Sequence, residues 1–295
     1  MNKLFKKYKK QEVLAAGFFL APDVIGLLFI YVIPIIFVLY LSFHSWTGFD
    51  PIKFTGLNNY LTLFKDPLWL KSLRVTFLYV LLYVPIVTLG SLGLAVLVNN
   101  NLPEIKLFRT LYFLPIVMPL VVAAIVWEFI YTPSYGFLNY IFDIFGLSKH
   151  AFLGSQNEAL ISVVIVSAWR QLGYYMIIFL AGLKDIPEVY YDASKVDGAN
   201  SFKQFIHVTL PMLKPVITFV MVVNLIFALQ DFDAVYVLTR GGPNYATYLQ
   251  TYYIYEEGFK FLKMGLASSA SIILLIIILT GSLAQLKILR GGEYE

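Results

Sequence analysis

Residues able to do covalent or metal chemistry are scarce in this chain and poorly spaced for it. Its 295 residues include no cysteine and three histidines, His44, His150 and His207. Thiol catalysis and Cys-ligated zinc or iron–sulfur sites are excluded, and the histidines lack metal-ligand spacing. No G-x-x-x-x-G-K-[ST] phosphate loop, nucleophile elbow or H-E-x-x-H pair occurs. What remains is a set of polar residues placed inside long apolar runs. Arg170 and Gln171 lie close to Gly173 and Tyr174, and Asn224 is followed at spacings of six and seven by Gln230 and Asp231. Polar groups in such runs are functional candidates by default, because they are costly to keep there. Their chemistry is hydrogen bonding and ion pairing. For Arg170 the bland reading is an ion pair within the bundle, with Glu128 or an acid of another chain. Asp23 reads as structural.

The elements that position these residues follow from hydropathy. The chain is 59% hydrophobic and 14% charged, with mean hydropathy +0.74. A soluble domain is about 45–50% apolar and about 25% charged, so this chain has too few charges to cover itself in water. A helix needs roughly 20 apolar residues to cross hydrocarbon. Six runs qualify: 18–43, 75–98, 110–127, 159–183, 209–230 and 264–286. The expected fold is an all-α polytopic membrane protein with six transmembrane helices, forming one membrane domain over residues 1–295. The Lys-rich start resembles a signal peptide, but its apolar run is far longer than the 7–15 residues of an h-region. It reads as an uncleaved first span.

Orientation follows the Lys and Arg asymmetry of the connections. One side carries Lys3, Lys6, Lys7, Lys9, Lys10, Lys106, Arg109, Lys184, Lys195, Lys203, Lys214, Lys287 and Arg290. The other side has eight basic residues matched by eight acids. The basic side is expected to be cytoplasmic, with both termini inside. A nucleic-acid partner would need a basic soluble face, and none is present. The outside loops, about 44–74, 132–158 and 231–263, are rich in Gly, Pro, Asn and aromatic residues.

The inside connection after the fourth span is patterned. Pro187 suits the first turn of a helix and Glu188 complements its N-terminus. Val189, Ala193 and Val196 recur at helical spacing, and Gly198 suits a left-handed stop. Ser201 with Gln204 reads as a capping box opening a second short helix, and Pro211 and Pro215 mark the entry to the fifth span. The loop is a helix–turn–helix with one apolar face. It either lies in the lipid interface or docks into a cytoplasmic partner.

The same segment resembles the EAA loop of ABC importer permeases, EAA-x3-G-x9-I-x-L-P. Asp192, Ala193 and Ser194 take the EAA places, Gly198 the glycine, Val208 the isoleucine, and Leu210 with Pro211 the ending. Asp for Glu, Ser for Ala and Val for Ile are conservative departures. Phe54 to Tyr60, Arg109 to Pro115, Tyr135 to Asn139 and Phe232 to Pro243 are similar to carbohydrate-importer permeases. The likeness is to the first of the two permease types, that of the lactose, raffinose and glycerol-3-phosphate permeases.

The resemblance implies a heterodimer with a second permease, two ATPase subunits inside and an extracytoplasmic solute-binding protein, in a bacterial or archaeal cell membrane. It implies an importer of di- or oligosaccharides working by alternating access, with glycerol phosphate as an alternative cargo. This chain would hold no cofactor and catalyse nothing; ATP and Mg would sit on the partner ATPase. The coupling element would be the 188–200 helix, with Glu188, Asp192, Ala193, Ser194, Asp197, Gly198, Ala199, Leu210 and Pro211. The substrate pathway would use Trp127, Arg170, Gly173, Tyr174, Asn224, Gln230 and Asp231, since sugars are bound by amides and carboxylates beside aromatic rings. Gly241, Gly242 and Pro243 would form an ordered outer loop that touches the binding protein or gates the cavity, or else a simple turn. Most of the 25 Phe, 21 Tyr and 4 Trp are expected at lipid or its interface. A secondary carrier or channel working without ATP is the reading from another class.

Overall fold

The computed structural model describes residues 2–99 and 105–290, with side chains described for 15–99 and 105–289. The inner link expected over 99–109 therefore falls partly outside the described residues. The chain divides into two compact units, Met1–Lys65 with Glu257–Ile272 and Asp66–Glu256 with Ile273–Glu295.

The first unit is dominated by α1 (Asn2–Leu27), which passes through a π-helical turn at Leu28–Val32 into α2 (Ile33–Ser42). Pro34 follows the π turn. Its ring would collide with the carbonyl four residues back and it has no N–H to donate, so a local shift in hydrogen bonding is suited to it. Ala15–Ser42 forms an unbroken apolar segment of 28 residues, about 42 Å long at 1.5 Å per residue. A small hairpin follows, with β1 (His44–Ser45) antiparallel to β2 (Lys53–Phe54). Its turn is held by Thr47, whose N–H and hydroxyl both donate to Asp50 Oδ1 at 2.8 and 2.6 Å. At the start of α3 (Asn58–Lys65), Asn59 Nδ2 donates to the carbonyls of Ser42 and His44, both at 2.9 Å. The start of α14 (Met264–Arg290) joins the hairpin, with Met264 N–H donating to the Trp46 carbonyl at 2.9 Å.

The second unit holds the polar candidates. Asp66 caps α4 (Pro67–Leu97) by accepting from Leu68 N–H at 2.8 Å, with Pro67 in the first turn. The principal partner of α4 is α8 (Ala159–Lys184). Tyr79 and Val87 of α4, Val163, Val164, Met176 and Phe179 of α8, and Leu213 and Val220 of α11 (Leu210–Leu229) are all 0% exposed. The later part of α14 contributes Leu274 and Ile278, packed on Leu229 and Leu225.

Among the described residues, four helices are long and apolar enough to cross a membrane: Ala15–Ser42, Pro67–Leu97, Ala159–Lys184 and Met264–Leu289. The count reaches six when each of two bent pairs is one span. The run at 110–127 is not one straight helix. It breaks between α5 (Ile105–Val117) and α6 (Leu120–Tyr131), which meet at 102°. Pro119 is the cause, because a residue before proline is pushed out of the helical region and Pro119 itself lies at φ −54°, ψ 133°. The run at 209–230 is bent by 67° between Ser201–Met212 and Lys214–Leu229, where Pro215 removes a helical hydrogen bond.

Candidate functional site

Within the second unit, α4, α6, α8 and the segment after α11 line an open cavity of about 240 Å3. Tyr83 lines it from α4, Leu120 from α6, and Ser167, Arg170 and Gln171 from α8. The end of α11 adds Phe227, and the turn that follows adds Gln230 and Asp231. Phe232, Asp233 and Ala234 complete it at the start of α12 (Asp233–Leu238). The helix α8 supplies its three polar residues from one face, because positions three and four apart are neighbours on a helix.

Asp231 is the most heavily bonded group in this wall. Its Oδ2 accepts from the Tyr79 hydroxyl and from Ser167 Oγ at 3.3 Å, and its carboxylate also takes the Ala234 amide. The Thr251 hydroxyl donates to the Asp231 carbonyl at 2.5 Å. Tyr79 stacks on Tyr83 with centroids 5.3 Å apart, so the carboxylate fixes an aromatic pair that ends in the cavity. Phe232 stacks on Tyr236 at 5.1 Å and on buried Tyr252 at 6.1 Å. Arg170 differs: among the described residues it has no carboxylate partner, and its Nε is buried without an acceptor. The cavity therefore presents a guanidinium, two amides and two carboxylates against Tyr83, Phe227 and Phe232. Such a wall can hydrogen-bond a polyhydroxylated solute and stack on its apolar faces.

The segment after α12 is folded back on itself. Thr247, fully buried, donates to the Gly242 carbonyl at 2.8 Å and pairs with the Thr239 hydroxyl at 2.7 Å. Gly241 sits at φ +81°, and a Cβ there would fall 2.5 Å from the Tyr248 ring. Both conditions require glycine. Lys71 Nζ reaches across to the Asn244 carbonyl at 2.7 Å. Behind it, α13 (Gln250–Tyr255) is bonded to α4 through Ser72 Oγ to Gln250 Oε1 at 2.5 Å and Gln250 N–H to Thr76 Oγ1 at 2.8 Å.

Between α8 and α11, helix α9 (Glu188–Val196) has no buried residue. Val189 and Val196 are 66% and 89% exposed, and Ala193 between them is exposed too. Tyr191 ties the helix down through its hydroxyl, 3.0 Å from Thr209 Oγ1. Gly198 ends it at φ +76° with open space around it. Pro187 is the N-cap residue and not part of the first turn. The second short helix, α10 (Ser201–Gln204), is capped by Asn200, whose Oδ1 accepts from Lys203 N–H at 2.9 Å. The capping box expected from Ser201 is thus displaced by one residue, because asparagine caps at least as well and Ser201 is already helical.

The family model of the binding-protein-dependent transport system inner membrane component matches residues 60–289. The chain belongs to this family. The probable ABC transporter permease protein YurN of Bacillus subtilis (strain 168) is 36% identical, over 94% of this chain and 96% of its own. The trehalose/maltose transport system permease protein MalF of Thermococcus litoralis is 32% identical over 98% of both chains. A chain in the crystal structure of a bacterial ABC transporter involved in the import of the acidic polysaccharide alginate superimposes with a TM-score of 0.83. That match covers 98% of both chains at 23% identity, a likeness of fold.

In this permease the residues expected along the pathway separate into two groups. Arg170, Gln230 and Asp231 meet in the cavity. Asn224 does not line it: at 0% exposure its Nδ2 donates to the Val84 carbonyl at 3.2 Å and to Thr88 Oγ1 at 3.3 Å, joining α11 to α4. Gly173 is a packing position, where a Cβ would lie 1.9 Å from the Tyr112 carbonyl oxygen. Tyr174 is 40% exposed and meets Tyr175 edge-on. Trp127 packs on Trp169 at 5.6 Å and Tyr131 at 5.2 Å. Glu128 is exposed and does not pair with Arg170. Sequence reasoning missed Tyr79, Tyr83, Ser167, Phe232 and Asp233. The available signal was Tyr79 and Tyr83 at i and i+4 in an otherwise apolar run. Asn224→Ala is expected to lower stability by about 1–3 kcal/mol, the cost of unpaired buried polar groups. It should leave the half-saturating cargo concentration unchanged, as denaturation and uptake curves on the same preparation would read.

Proposed function

We propose that this chain is one of two permease subunits of an ATP-driven, binding-protein-dependent importer of sugars, in a bacterial or archaeal cell membrane. The observation that carries this is the cavity: Arg170, Gln171, Gln230 and Asp231 against Tyr83 and Phe232, inside a bundle of apolar helices. The trehalose/maltose relative fits the same chemistry. Both termini and α9 face the cytoplasm in this reading, in keeping with the Lys and Arg asymmetry. The exposed Val189–Ala193–Val196 face docks into a partner ATPase that holds ATP and Mg. Glu188, Asp192, Ser194, Asp197 and Ala199 surround that face, and Leu210 and Pro211 carry its movement into α11. Closure of the ATPase pair moves α9 and exchanges inward-open and outward-open states; nucleotide drives this only by its different affinity for the two. The Gly241–Gly242–Pro243 loop meets the solute-binding protein or gates the cavity on the far side.

The test is reconstitution of the chain with its second permease, ATPase and binding protein in proteoliposomes, with labelled trehalose and malto-oligosaccharides as cargo. ATP-dependent uptake is expected. Flux driven by an ion gradient without the ATPase would favour a secondary carrier and overturn the reading. Ala193→Arg places a charge on the docking face without touching any buried group. It is expected to cut binding-protein-stimulated ATP hydrolysis at least tenfold and to lose co-purification with the ATPase, at unchanged thermal stability. The unpaired Arg170 favours one second reading, an anionic cargo such as glycerol phosphate, which would compete with sugar uptake if correct.

A further inference from the structure

The connection between α6 and α8 contains α7 (Phe137–Ile144), and its outer surface is unusual for a loop. Phe137, Tyr140, Ile144, Phe145 and Leu147 are each between 56% and 74% exposed. Phe137, Tyr140 and Ile144, at spacings of three and four, share one face of α7, and Phe145 and Leu147 extend this ridge into the turn that follows. This ridge is rigidly mounted. Asn139, 2% exposed, donates to the Pro133 and His150 carbonyls at 3.2 and 2.8 Å and accepts from His150 N–H at 2.9 Å. Glu158 completes the mount: it accepts from Phe152 N–H at 2.7 Å, and its other oxygen lies 3.0 Å from His150 Nδ1.

We propose that α7 is an interfacial anchor, with this ridge seated at the headgroup–acyl boundary of the bilayer. Two observations select lipid as the occupant. The ridge continues the exposed apolar face of α6, where Ile125 and Phe129 are 61% and 59% exposed; Phe129 meets Tyr135 ring to ring at 5.8 Å. The groove of about 380 Å3 between the two helices is lined by the rings of Phe129, Tyr135, Phe137 and Tyr140 together with Asp143 and Lys149, and both charged residues are exposed. Aromatic rings beside one cation and one anion suit the headgroup–acyl boundary, where a zwitterionic phospholipid offers a phosphate to Lys149 and an ammonium to Asp143. Left in water, the ridge would be a contiguous apolar patch of the kind that promotes aggregation.

The chain has no cysteine, so single labels can be placed without background. Tyr140→Cys, Ile144→Cys and Leu147→Cys would each carry a nitroxide, in the full chain co-assembled with its partner subunits in phosphatidylcholine–phosphatidylglycerol nanodiscs. Power saturation compares collision with dissolved oxygen, which partitions into lipid, and with a water-soluble nickel chelate. The expected result is oxygen access several-fold above nickel access at all three positions, at depths of about 5–10 Å below the phosphates. Nickel access equal to or above that of oxygen places the ridge in water and overturns the proposal. Low access to both reagents means that protein covers the ridge, and overturns it equally.

Discussion

Gly173→Ala drives α5 and α8 apart and lowers the thermal midpoint of the permease by roughly 5 °C, as expected for about 3 kcal/mol of overpacking in a chain of this size. The added Cβ would sit 1.9 Å from the Tyr112 carbonyl oxygen, 2.5 Å from its carbon and 2.9 Å from the Phe113 Cα. All three are backbone atoms, so no side-chain rotation relieves the clash. Because α5 leads directly into the broken segment at Met118–Pro119 and α8 carries Ser167, Arg170 and Gln171 into the cavity, uptake is lost along with stability. Gly93→Ala is the matched control. Nothing lies within 4 Å of a Cβ there, and replacing a helical glycine by alanine is worth up to about 1 kcal/mol in favour of the helix. Thermal unfolding of the two variants side by side checks the argument; equal midpoints would sink it.

The second large effect is expected at Asp231. Asp231→Ala strands the Tyr79 hydroxyl, whose residue is 0% exposed, together with Ser167 Oγ and the Ala234 amide. Each buried donor left without an acceptor costs roughly 1–3 kcal/mol. The turn joining α11 to α12 also loses its tie to α4 and α8, so ATP-driven uptake should fall at least tenfold. Asp231→Asn discriminates between positioning and charge. The two hydroxyl donors share one oxygen, Oδ2, and the amide keeps an oxygen for them. Asparagine is therefore expected to recover most of the stability and a large part of the uptake that alanine loses. If asparagine and alanine behave alike in both measurements, the network does not carry the function of this residue.

These two residues also mark how far the sequence can be read. Gly173 and Asp231 were both visible as candidates, yet only one of them lines the cavity. Asn224 and Asp231 fall near one helical face by spacing. Asn224 lies inside α11, in the register that meets Val84 and Thr88, whereas Asp231 lies beyond the helix end, where the chain turns into the cavity wall. Tyr79 and Tyr83 looked like any tyrosine in a lipid-facing run. Only the pairing of α4 with α8 distinguishes a ring that meets Asp231 from one that meets lipid. The run at 110–127 read as one span, and only the structure shows Pro119 dividing it into two halves that meet at 102°.

What the sequence by itself determined is where the chain can be helical and apolar, where α9 stops at Gly198, and which polar residues are out of place. Those are local matters: transfer free energy along a run, a backbone angle open to glycine, a cap within one turn. The tertiary structure alone decided which of the misplaced polar residues meet. The bonds that build the cavity wall join residues 64 and 152 positions apart. No periodicity within a single helix reports contacts at that separation, because they depend on how neighbouring helices pack and bend.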